Sequence, residues 1–313
     1  MTAWNILLTD GLEEKGQEIL RKSANVVNNP TITADELLQA VGEYDAIIVR
    51  GRTKVIPAVF AAGKKLKVVG RSGVGVDNID LNAAKEHHVT VVNAPIATSI
   101  SVAELTLGLM LSLVRELPRG DAGMKNGKWL KKEMEGAELY GKTLGIIGFG
   151  RIGSLVAQRA AAFGMEVIGY DPIVNADEMK RRGGRFVILD ELYQQADIIS
   201  MHLPLTNDTR AMINVESIAK MKKGVRIVCA ARGGVIDETA LLAGLESGQV
   251  AGAGLDVFTV EPPGQSPLVT HPRVICVPHI GAQTAEAQER SAVDIANEVL
   301  AALQGDTLRW KVA

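Results

Sequence analysis

Leu144 to Ser154 reads LGIIGFGRIGS, and this stretch decides the fold. Gly148-Phe149-Gly150-Arg151-Ile152-Gly153 follows the apolar run Thr143 to Ile147 and opens an Ala-rich segment that ends at Gly164. The first glycine permits a tight strand-to-helix turn, the second lets backbone approach a pyrophosphate, and the third lets helix pack close on strand. A helix N-terminus is left aimed at the anion. GxGxxG alone is a weak signal. The next strand, EVIGYD, however, ends in Asp171, whose carboxylate would accept hydrogen bonds from adenosine ribose hydroxyls and repel a 2′-phosphate. A glycine-rich turn chosen for packing alone leaves Asp171 unexplained. The stretch therefore reads as a dinucleotide site for NAD, with Lys180-Arg181-Arg182 the one nearby feature favouring NADP.

The turn lies mid-chain, with a β/α series on each side of it. Upstream run NILLTD, a helical Leu12 to Lys22, NVVNN, a capping box Thr33-x-x-Glu36 opening Ala34 to Val41, then DAIIVR, LKVVGR and VTVVNAP. Downstream run EVIGYD, RFVIL, ADIISMHLP, VRIVCAARGG, VAGAGLDVF and RVICVPHIG. Strand alternating with helix implies parallel sheets covered on both faces. The fold class expected is α/β in two domains. One is an inserted Rossmann-type NAD-binding domain over 96–282, and the other a flavodoxin-like substrate domain made of 1–95 and 283–313. A second capping box, Ser101-x-x-Glu104, is expected to start an apolar connector helix to about Glu116, and a helix over Ala282 to Leu303 is expected to return to the first domain.

With 34 Lys and Arg against 36 Asp and Glu, the net charge of −2 offers no basic excess for nucleic acid or an anionic membrane. The N-terminal MTAWNILLTDGLEEKG lacks the basic start of a secretory signal, and the apolar run Leu105 to Val114 is too short to span a bilayer, which takes about 20 residues. Cys229 and Cys276, each in a strand-like run, are expected as free, buried thiols in a reducing cytoplasm. Five histidines without HxxxH spacing suggest no metal site.

In open α/β sheets ligands sit at the carboxyl ends of strands, so polar residues just past apolar runs are the candidates. Arg232 follows VRIVCAA, Glu261 follows AGLDVFTV and His279 follows VICVP. Singly, each has an ordinary structural explanation: a turn arginine, a solvated loop acid, a hydrogen-bonded histidine. Together they supply what reversible hydride transfer to a 2-oxo acid needs. A guanidinium forks onto the carboxylate, an imidazole exchanges the hydroxyl proton, and a carboxylate orients that imidazole and favours its protonated form. Nicotinamide carries the hydride.

GIIGFGRIG, YDP, HLPLT, CAARGGVIDE, GAGLDVFTVEPP and VPHIGAQT make the chain resemble, over essentially its whole length, the D-2-hydroxyacid dehydrogenases, and within them the branch acting on D-3-phosphoglycerate. The resemblance puts the family's catalytic arginine, glutamate and histidine on Arg232, Glu261 and His279. It implies cofactor contacts from Val74, Gly148, Gly150, Arg151, Ile152, Gly153 and Asp171. It adds His202, Leu203, Pro204, Thr209, Ala230, Ala231, Asp256, Gly281 and Ala282. It also implies a substrate domain interrupted by the nucleotide domain, a homodimer, the first step of serine biosynthesis as the role, and a short form lacking the regulatory ACT domain.

For the substrate, VRGRTK clusters Arg50, Arg52 and Lys54 after a strand, and Arg71 follows the next. On composition they read equally as a solvated rim. The resemblance makes Arg50 and Arg52 phosphate ligands and places Val74 and Asn93 near the substrate or nicotinamide. In GRSGVGVDN the backbone N–H groups from Ser72 through Gly73 to Gly75 would hold a carboxylate. Lys131 or Lys132 would add a cation from a neighbouring subunit. NAPIATSIS departs from the family in carrying Ala97-Thr98 where Gly-Asn is common. The rivals are a glyoxylate or hydroxypyruvate reductase and a non-catalytic NAD-sensing corepressor, the latter opposed by the intact Arg, Glu and His set.

Overall fold

The computed structural model describes residues 4–313, so the first three residues of the stretch read for a secretory signal lie outside it. Contacts divide the chain into 1–99 with 282–313, and 100–281. Residues 96–99 and 282 thus join the first unit.

In the first unit, β1 (Trp4–Leu8), β2 (Ala24–Asn28), β3 (Ala46–Val49), β4 (Val68–Arg71) and β5 (Thr90–Asn93) form a parallel sheet in the order β2-β1-β3-β4-β5. This is the flavodoxin-like arrangement. Every side chain of β3 is buried, because helices cover both sheet faces and no solvated face is left to alternate with. The helices are α1 (Glu14–Arg21), α2 (Ala34–Ala40), α3 (Pro57–Ala62) and α4 (Leu81–Glu86). Thr33 and Glu36 close the capping box at α2, each bonding the other's backbone N–H.

The second unit begins at Ile100, within α5 (Ser99–Arg115), and continues through α6 (Leu117–Lys125), β6 (Thr143–Ile147), α7 (Arg151–Ala162), β7 (Glu166–Tyr170), α8 (Ala176–Arg181), β8 (Arg185–Phe186) and α9 (Leu189–Gln195). It ends with β9 (Ile198–Met201), α10 (Val215–Lys220), β10 (Val225–Cys229), α11 (Glu238–Glu246), β11 (Val250–Leu255) and β12 (Val274–Cys276). Its parallel sheet runs β12-β11-β10-β9-β6-β7-β8, the Rossmann order, reversing between β6 and β9. The final helix, α12 (Ala285–Gln304), packs in the first unit against α1, β4 and β5.

Two expectations need correction. Helix α5 starts at Ser99, so Ser101 lies inside it and is no cap; its hydroxyl instead donates to the Gly281 carbonyl at 2.6 Å. Tertiary pairing thus claims the hydroxyl that a cap would have used. Cys229 is buried, but Cys276 sits on the sheet's outermost strand and is only half-buried. Beyond α12, Lys311 bridges Val92 antiparallel and the Val91 N–H donates to the Ala313 carbonyl.

Candidate active site

The parallel strands of the second unit deliver their polar successors to one sheet edge: Gly148 after β6, Asp171 after β7, His202 after β9, Ala230 to Arg232 after β10, Asp256 after β11 and His279 after β12. At the reversal point the glycine turn fits a dinucleotide. Gly148 adopts φ +94°, a Cβ on Gly153 would sit 2.1 Å from the Gly148 carbonyl oxygen, and a Cβ on Gly150 would meet nothing within 4 Å. The first and third glycines are thus forced by conformation and close packing, while the second keeps open the space a pyrophosphate needs. Gly150 supplies no side-chain cap to α7, and Arg151, Ile152 and Gly153 form its first turn, where N–H groups lack carbonyl partners within the helix.

Asp171 has a second task. One carboxylate oxygen accepts the Phe149 N–H at 2.7 Å, and the other accepts those of Ile173 at 2.8 Å and Val174 at 2.9 Å. The residue therefore ties the glycine turn to the loop after β7, and a ribose would share the remaining lone pairs. Arg182 braces the same turn, donating Nη1 to the Phe149 carbonyl at 2.8 Å and Nε to Glu178 at 2.6 Å. Sequence reading saw Arg182 only as a charge, since nothing local reports a contact to a residue one β/α unit earlier.

Glu261 bonds His279 Nδ1 at 2.8 Å through one carboxylate oxygen and accepts the Phe258 N–H at 3.0 Å through the other. An ionised carboxylate only accepts, so Nδ1 carries the hydrogen and Nε2 of the neutral ring keeps its lone pair. His279 holds φ +53°, a left-handed conformation that histidine tolerates better than most side chains. The buried Asp256 fixes the backbone next to it, accepting the N–H of Ile280 at 2.6 Å and of Gly281 at 2.9 Å. Burial raises the Asp256 carboxyl above its ordinary value, against the lowering effect of those two N–H groups and of His279. Arg232 donates Nη1 to the Ala231 carbonyl at 2.7 Å, and Ala230 and Ala231 are buried beside it.

Two further residues of this edge have their side chains engaged within the protein. The Thr209 hydroxyl donates to the Pro204 carbonyl at 2.6 Å and accepts the Thr206 N–H at 2.8 Å, so it shapes the loop after Leu203 and has no hydrogen left for a cofactor. His202 bonds Ser200 Oγ through Nε2 at 2.8 Å, while its Nδ1 is buried without a partner, and burial lowers its pKa to about 3. It is a neutral histidine.

In the first unit the basic residues also gather at carboxyl strand ends, but each is tied down. Arg50 Nη1 lies 3.4 Å from Glu13. Arg52, expected to hold a phosphate, donates Nη1 to the Ile32 carbonyl at 2.8 Å and Nη2 to the Thr9 carbonyl, and pairs with Asp10 at 3.0 Å. Its terminal nitrogens thus serve the fold. Arg71 donates to the Ser72 carbonyl and lies over Gly73, where a Cβ would strike its guanidinium. The expected carboxylate nest loses Ser72, whose N–H donates to the Val49 carbonyl at 2.9 Å. Asn93 donates its amide to the Val74 carbonyl at 2.7 Å, joining two residues the sequence had paired by role. Ala282 accepts from Gln288 at the entry to α12. Among the described residues no group of three or more His, Cys, Asp and Glu is placed to hold a metal, and no helix is long and apolar enough to cross a membrane.

Residues 107–281 match the family model for the D-isomer specific 2-hydroxyacid dehydrogenase NAD binding domain. A curated D-3-phosphoglycerate dehydrogenase of Methanocaldococcus jannaschii is 48% identical over 302 residues, 96% of this chain, which spans 58% of that protein's length. A hydroxypyruvate reductase of Thermotoga maritima is 46% identical over 96% of this chain and 98% of its own. The crystal structure of an Aquifex aeolicus D-lactate dehydrogenase complexed with NAD and lactic acid is 33% identical over 96% of each chain and superposes with a TM-score of 0.85.

Proposed function

Because the chain belongs to the D-isomer specific 2-hydroxyacid dehydrogenase family and carries its NAD-binding domain, we propose that it oxidises D-3-phosphoglycerate to 3-phosphohydroxypyruvate, the step that opens serine biosynthesis. The observation that carries the chemistry is the His279–Glu261 bond on the same sheet edge as Arg232. The glycine turn and Asp171 would hold NAD, which would supply the hydride acceptor for C2 of the hydroxy acid. Arg232 forks onto the substrate carboxylate and holds C2 in position. Nε2 of neutral His279 takes the hydroxyl proton as the carbonyl forms, and Glu261, fixed by the Phe258 N–H, stabilises the resulting imidazolium. In the reverse direction protonated His279 returns that proton. Asp171 favours NAD over NADP by repelling a 2′-phosphate.

Arg50 is the residue we assign to the phosphate, now without Arg52. The reading extends to a cytoplasmic homodimer, by likeness to the family. A second reading, an enzyme acting on unphosphorylated hydroxypyruvate or glyoxylate, is favoured by the carboxylate of Glu13 beside Arg50 and by the Thermotoga relative. A substrate panel followed by NADH absorbance tests both. Higher kcat/KM for 3-phosphoglycerate than for D-glycerate, with a weaker response to NADP, supports the first reading. The opposite order supports the second, and no turnover of any D-2-hydroxy acid defeats both.

A further inference from the structure

Asp10 and Glu13, in the turn between β1 and α1, divide the arginines after β3 between them. Asp10, only 4% exposed, accepts the backbone N–H of Arg50 at 2.7 Å and of Thr53 at 3.1 Å, the Thr53 hydroxyl at 2.5 Å, and the guanidinium of Arg52. That carboxylate is fully used and holds the loop rigid. Glu13 is different. Its Oε1 reaches Arg50 Nη1 at a long 3.4 Å, and its Oε2 is buried without any hydrogen-bond partner. No cap explains it either, because Glu13 occupies the N-cap position of α1 and makes no side-chain cap bond. The charge of Glu13 is therefore compensated by Arg50, and only weakly.

A dianionic phosphate that recruits Arg50 must compete with this carboxylate and leave it half-buried beside like charge. A neutral hydroxyl makes no such demand. It accepts a hydrogen bond from another guanidinium N–H while Arg50 keeps facing Glu13. We propose that Glu13 is a specificity-determining residue of the Arg50 site, its carboxylate reducing the margin by which a phosphorylated 2-hydroxy acid is preferred over one ending in a hydroxyl. The proposal rests on the reading above that Arg50 meets the substrate end where a phosphate would lie.

The test compares kcat/KM for 3-phosphoglycerate and D-glycerate, measured on the same protein, in the wild type, Glu13→Gln, Glu13→Asp, Arg50→Ala and the Glu13→Gln/Arg50→Ala double variant. Removing the charge in Glu13→Gln should raise the 3-phosphoglycerate to D-glycerate ratio about three- to tenfold. Glu13→Asp retains the charge and should stay near the wild-type ratio, and in the Arg50→Ala background, where no guanidinium is left to compete for, the Gln substitution should raise the ratio clearly less than in the wild type. An unchanged or lower ratio in Glu13→Gln, with Arg50→Ala still selectively impairing the phosphorylated substrate, overturns the role of Glu13 alone. If Arg50→Ala lowers both substrates equally, the assignment of Arg50 to the phosphate fails, and the role of Glu13 falls with it.

Discussion

His279 and Glu261 show how one hydrogen bond sets a chemical direction. The bond to Nδ1 fixes the tautomer and leaves Nε2 open, the atom that in the proposed mechanism is base for oxidation and, once protonated, acid for reduction. The two reaction directions should accordingly show opposite pH limbs. His279→Gln is expected to cost roughly 10²- to 10⁴-fold in turnover while leaving NADH affinity, read by fluorescence titration, nearly unchanged. Near-normal turnover would remove His279 from the mechanism. Glu261→Gln keeps a hydrogen-bonding group but removes the charge facing the ring that takes the proton, so turnover should fall while NADH affinity holds. Unchanged turnover would make Glu261 a packing residue only. All three polar residues were legible in the sequence because each directly follows an apolar run. The Glu261–His279 contact was legible only as chemistry, since 18 residues and a strand separate the pair.

At the scale of elements, His279 depends on two strands at once. It follows β12, yet its neighbours Ile280 and Gly281 are held by Asp256 at the end of β11, and the Gly281 carbonyl by Ser101 of α5. Asp256→Ala would leave two N–H groups without their acceptor in a buried setting, each worth about 1 to 3 kcal/mol. We expect a clear fall in the thermal midpoint together with a lower kcat, whereas unaltered stability would show that the loop finds other acceptors. The glycine turn was readable because backbone geometry imposes glycine wherever Cβ collides. The α5 boundary was not, because Ser101 and Glu104 have cap chemistry while tertiary partners use them otherwise: Glu104 pairs with Arg159 at 3.3 Å.

For the molecule as a whole, His202 couples folding to pH. Burial lowers its pKa to about 3 from 6.5, so between those values the unfolded chain binds a proton that the folded chain excludes. Above the unfolded value the group makes no difference; as pH falls below it, stability should drop by up to about 1.4 kcal/mol per pH unit. Urea unfolding from pH 7 to 4.5 should show a steeper loss for the wild type than for His202→Asn. Coincident slopes would mean that the ring is not held neutral.

Periodicity alone determined that this chain alternates strand and helix, because strands buried on both faces must be continuous apolar runs, and glycine spacing together with Asp171 at the end of the next strand marked the dinucleotide turn. The D-2-hydroxyacid dehydrogenase family was likewise legible, its motifs being the strand-end residues that the chemistry requires. Only the tertiary structure decided which charges are available. Arg50 and Arg52 are alike in sequence, but hydrogen bonds reaching from β1 and the segment before α2 consume Arg52, and a carboxylate before α1 faces Arg50. A local pattern records which side chains are polar. It cannot record which of their hydrogen-bonding positions are already satisfied, since those partners come from strands that meet only when the sheet forms.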